Sequence, residues 1–167
     1  MSHLQETFDV RGHVRGSAIC SSETMQALPD PADRNQAVIQ NVPFFVDAIN
    51  FGDVVRIGPP DDAGVRAIEA VAIPSGCVHF VVLVGTLSES RLIAHLGRLF
   101  PFPAVRIECG HGLLAVSVHP ELAAEEVVSE IFDWFERQEP SPGDDDFGVT
   151  NLFESEIGPL GYPPGIP

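Results

Sequence analysis

Apolar and polar positions along this chain change period near its middle, and the change predicts two kinds of architecture. In the first half the apolar residues come in short alternating runs, at Thr24–Leu28, Gln36–Gln40, Asp53–Ile57 and Val65–Ile73, separated by Pro, Asp or Gly turns. Such spacing predicts a small barrel-like antiparallel sheet. From Cys77 to Val84 the run is nearly continuous and β-branched, the signature of a central strand buried on both faces. The period then becomes helical. Leu92, Ile93, Leu96, Leu99 and Phe100 recur at intervals of three and four, and Thr86 with Glu89 has capping-box spacing, so a helix is predicted over Ser88–Leu99.

Pro101 and Pro103 end that helix, and Ala104–Glu108 reads as a strand. Cys109-Gly110-His111-Gly112 offers a tight turn into a second strand, Leu113–Val118. A second helix is predicted over Pro120–Arg137, with Ala124, Val127, Val128, Ile131, Trp134 and Phe135 on its apolar face. After a Pro/Gly/Asp linker at Glu139–Asp146, Phe147–Phe153 can return as a last strand. Strand-helix-strand-strand-helix-strand is the ferredoxin-like split βαβ order, with both helices on one face of the sheet. The expected fold is therefore α+β: a barrel-like antiparallel amino-terminal sheet followed by a ferredoxin-like half. The expected divisions are an arm at 1–22, a β-rich subdomain at 23–75, a ferredoxin-like subdomain at 76–153 and a Pro/Gly-rich tail at 154–167.

The segment between the second and third of these expected strands is the most specific one. Asn41-Val42-Pro43-Phe44-Phe45 leads through Asn50 and Phe51 to Gly52-Asp53-Val54-Val55, an aromatic run meeting a Gly-Asp turn and a new strand. Gly52 permits the turn, and the Asp53 carboxylate can accept from backbone amides to hold it. This run resembles the hallmark of the bacterial domain-of-unknown-function family numbered 4265, and the resemblance extends over about Glu23 to Glu139. In that family a Ser-Gly-His tripeptide tends to follow the next strand, whereas this chain has Ser75-Gly76-Cys77 with His79 two residues later. The resemblance implies a fold and no activity.

Charge narrows the function classes. The 167 residues carry a formal net charge of −15, and all nine basic residues are Arg. Such a field repels phosphate backbones, so nucleic acid is not an expected partner and a basic protein is. The acidic helix face of Glu126, Glu130 and Asp133, with the Asp144–Asp146 run, is the expected docking surface, on the expectation that no Lys or Arg neutralises it. No apolar run reaches the ~20 residues needed to span a bilayer, and Met1–Val10 has no apolar signal core, so a cytoplasmic location is expected.

Candidate chemistry is sparse. Cys20, Cys77 and Cys109 have no paired spacing, so no disulfide framework is expected. The six histidines are scattered without metal-ligand spacing, and no cofactor or metal is implied. Cys77 with His79, and Cys109 with His111, put a thiol near an imidazole, Cys109 in the more exposed setting. A cleft site between the subdomains could bring Asp47, Asn50 and Asp53 opposite Ser75, Cys77 or His79, with Phe44 and Phe45 as ligand-binding candidates. Packing and turn formation are the commoner uses of all these residues. An acidic binding or accessory protein, of the kind that immunity proteins exemplify, is the leading expectation, and a small cleft enzyme is the alternative.

Overall fold

In the computed structural model, residues 6–14, 20–46, 48–83, 89–110, 112–137 and 151–153 are described. Five strands close a barrel: β1 (Phe8–His13), β2 (Ser22–Pro29), β3 (Gln36–Ile39), β4 (Val54–Pro60) and β5 (Arg66–Ile73). Successive strands pair antiparallel. Closure is parallel, with Val10 opposite Arg66 and Arg11 opposite Ala67. Alternation explains the interior, since Val10, Met25, Ala27, Ala37, Ile39, Val55 and Ile57 all point inward and are buried. Val46 and Ile49, from the segment between β3 and β4, join the same core. At Gly12 a Cβ would lie 2.7 Å from Met25 Cε and 2.9 Å from a Val46 methyl, so any side chain there would push these two core residues aside.

The arm expected at 1–22 thus contains a barrel strand. Its short polar-rich alternation, with Arg11, Gly12 and His13 outside a hydrophobic run, hides it from a one-sequence reading. The other four expected barrel strands are present, with no end shifted by more than three residues.

The second half contains β6 (Val78–Leu83), α1 (Glu89–Leu99), β7 (Val105–Gly110), β8 (Leu113–Val118), α2 (Ala124–Glu136) and β9 (Asn151–Phe153). Its strands form a four-stranded sheet ordered β7-β8-β6-β9. All its pairings are antiparallel, which is the ferredoxin-like arrangement. One face carries Val82, Val105, Leu114, Val116 and Val118 against Leu92 and Leu96 of α1 and Val127, Ile131 and Trp134 of α2. Both helices therefore cover one face, as their single apolar stripes require.

Two boundaries in this half differ from expectation by more than one residue. Helix α2 starts at Ala124 rather than Pro120, because the Leu122 amide donates to the His119 carbonyl at 2.9 Å and residues 120–122 form a turn first. Cys109 and Gly110 belong to β7 rather than to the following turn, where Gly112 has φ +77°. The expected capping residue Thr86, the linker 139–146, the start of the last strand at 147–150 and the tail 154–167 lie outside the described residues. No helix among the described residues is long and apolar enough to cross a membrane.

The opposite face of the sheet meets the barrel. Val42, Val81 and Ala115 form a third buried cluster, with Phe44, Phe51 and Leu113 packed against it. Strand β6 is buried on both sides, Val82 towards the helices and Val81 towards the barrel. The candidate site lies in this seam.

Candidate functional site

The turn between β3 and β4 is built on Asp53. Gly52, at φ +82°, lets the chain reverse, and its amide donates to the Ile39 carbonyl at 2.9 Å. Asp53 is 1% exposed, and its two oxygens accept from different backbone segments: Oδ2 from the Asn50 amide at 2.8 Å and Oδ1 from the Ser75 amide at 2.7 Å. One carboxylate thus pins the turn to the strand that leaves the barrel. Ser75 Oγ in turn accepts from the Cys77 amide at 3.2 Å.

Asn50 reaches across the seam. Its Oδ1 lies 2.5 Å from Nδ1 of His79, which is 7% exposed on β6. With the amide oxygen as acceptor, Nδ1 carries the proton and donates. Asn50, Asp53, Ser75, Cys77 and His79 are consequently brought together by a chain of hydrogen bonds from the barrel turn to the sheet. Asp53 and His79 are linked through Asn50 rather than directly.

The aromatic candidates serve two cores. Phe44 packs into the seam cluster and Phe45 against the barrel core, their ring centroids 6.2 Å apart. Glu23 holds both in place: its two carboxylate oxygens accept from the Phe44 and Phe45 amides, each at 2.8 Å. Nothing in the sequence flags this use of Glu23, which stands 21 residues from Phe44.

Cys109 is exposed at the far end of β7, and by alternation it shares the side of Val105 and Ile107, away from the seam. It does not join Cys77 and His79. Asp47 and His111 lie outside the described residues.

Sequence reading missed the row beside His79. Register places Ser117 of β8 opposite His79, and Arg106 of β7 opposite Ser117, so all three stand on the barrel-facing side. Ser117 is 2% exposed, and its hydroxyl has no hydrogen-bond partner among the described residues. The Arg106 guanidinium lies 4.5 Å over the Phe51 ring, and Nε and a terminal NH2 donate to Glu108 Oε1, both at 3.3 Å. Only pairing register reveals this row, because its members are 27 and 11 residues apart.

The expected acidic docking face needs one correction. Glu130 is not left without a basic neighbour: its Oε1 accepts from His95 Nε2 of α1 at 2.7 Å and from the Arg137 guanidinium at 2.5 Å. The hydrogen bond from His95, then that from Arg137, holds its carboxyl below the usual range. Glu125, Glu126, Asp133 and Glu136 remain on the exposed side of α2. The Asp144–Asp146 run lies outside the described residues.

Comparison with known proteins returns a family and a fold. The model of the family described as Domain of unknown function (DUF4265) matches residues 23–139, and the chain belongs to that family. Among solved structures, it is similar to a hypothetical protein from Neisseria gonorrhoeae, at 18% identity and a TM-score of 0.55, over 81% of this chain and 89% of that one. At that identity the likeness concerns the fold. No curated protein matches.

Proposed function

We propose that this DUF4265 member is a non-catalytic binding protein whose acidic outer face of α2 engages a basic protein partner, an accessory role of the immunity-like kind. The observation that carries the reading is Phe132, which is 41% exposed on the solvent side of α2. Exposed Glu125, Glu126, Asp133 and Glu136 surround it on the same helix. An aromatic anchor inside a ring of like charge suits a partner presenting an apolar residue among Arg or Lys side chains. The turn residues support it from the other side. Both Asp53 oxygens and Ser75 Oγ are spent on backbone amides, which leaves them poorly placed for proton transfer.

The test is capture from native lysate by the full chain, comparing wild type with Phe132→Ser and with Glu126→Lys/Asp133→Lys. Association should be strong at ~0.05 M salt, fall at about 0.5 M as the Debye length drops to a few Å, and be lost in both variants. A partner that binds all three proteins equally at both salts, or no partner at either, sinks the reading. A small cleft enzyme is the second reading, favoured by the Asn50–His79 contact, since a fixed imidazole is the usual general base. It requires turnover that His79→Gln abolishes and the α2 variants leave intact.

A further inference from the structure

We infer that the seam between barrel and sheet holds a binding site for a small oxoanion, the carboxylate or phosphate group of a ligand, on Arg106 and Ser117. This goes beyond the partner face on α2 and stands on different residues. Three observations meet here. Ser117 is almost fully buried, yet its hydroxyl has no partner among the described residues, a state that costs free energy unless the donor is used. Arg106 stands next to it across the strand pair, its side chain 31% exposed and its guanidinium fixed over Phe51, so one end of the row opens to solvent. The guanidinium already receives a carboxylate: Glu108, two residues along the same strand, offers one oxygen to two N–H donors at 3.3 Å each. Those contacts are long beside the ~2.7–2.9 Å of a well-made charge-assisted pair. A carboxylate tethered on its own strand is a loose stand-in for a ligand free to choose its approach.

The turn completes the site. Asn50 holds His79 at one end of the row, and Phe51 covers Arg106 at the other. The anion would replace Glu108 on the guanidinium and accept from the Ser117 hydroxyl. The net charge of −15 opposes approach of any anion. At ~0.15 M salt that field is screened beyond about 8 Å, so the local donors decide.

The experiment titrates full-length protein with sodium acetate and, separately, sodium phosphate at constant ionic strength, following backbone amide NMR shifts of β7 and β8. Saturable shifts centred on residues 106 and 117 are expected with at least one of them, and which one saturates identifies the group. Ser117→Ala should weaken binding about fivefold to tenfold, the loss of one hydrogen bond, without lowering Tm. Glu108→Gln should tighten binding several-fold by removing the internal competitor. Arg106→Gln should abolish it. Linear shifts with both anions, an affinity unchanged in Ser117→Ala, or weaker binding in Glu108→Gln would overturn the proposal. So would a Ser117→Ala protein that loses stability, because the hydroxyl would then be serving the fold.

Discussion

At the scale of single residues, Asp53 carries the most weight. It is buried, and each of its oxygens accepts from a backbone amide, one in the turn and one on the segment leaving the barrel. Asp53→Asn keeps the shape but turns one acceptor into a donor facing an N–H. The expected cost is about 1–3 kcal/mol, the range for leaving a buried donor unmet. Urea denaturation should show the midpoint falling with the slope unchanged, and a loss within ~0.5 kcal/mol would show that the turn stands without its carboxylate. The turn was legible in the sequence, because Gly-Asp before a β-branched run has a local meaning. Asn50, Asp53, Ser75 and His79 were named from it. Glu23, Arg106 and Ser117 were not, since their roles arise from residues far along the chain.

Between elements, the link that can be switched is Glu130. It ties α1 to α2 through His95 and binds Arg137 just past the helix end. Its folded value lies below the ordinary 4.5, so above that value the folded protein has the full benefit of the ionised carboxylate. As pH falls through the lower folded value, Glu130 takes up its proton and the contribution disappears. Glu130→Gln should therefore be less stable than wild type at about pH 5.5, and the gap should close towards about pH 3, read from urea midpoints at each pH. A constant gap would place the effect in packing rather than charge. The helices themselves were readable from their 3.6-residue period. Their pairing through His95 and Glu130 was not, because helical spacing tells which face is apolar and not which polar residues meet across the neighbouring helix.

For the molecule as a whole, the seam decides whether barrel and sheet behave as one body. Val42 is fully buried between them, against Val81 and Ala115. Val42→Ala should cost about 2 kcal/mol by leaving a cavity there. The chain's one tryptophan, Trp134, lies on α2 in the other core, so its fluorescence reports the ferredoxin-like half. If the halves unfold together, the fluorescence and far-UV circular dichroism midpoints should fall by the same amount. A fluorescence midpoint that stays put while the dichroism shifts would mean two independent units. The sequence by itself determined the elements other than β1, since the 2-residue and 3.6-residue periods and the Gly and Pro breaks are local properties of the backbone. It also determined the charge and the turn at Gly52 and Asp53. Only the tertiary structure decided that β1 closes the barrel, that Arg106, Ser117 and His79 stand in one row, and that Glu130 faces inward to a partner. Each of those depends on strand register or helix apposition, contacts that side chains make across tens of residues and that no local pattern encodes.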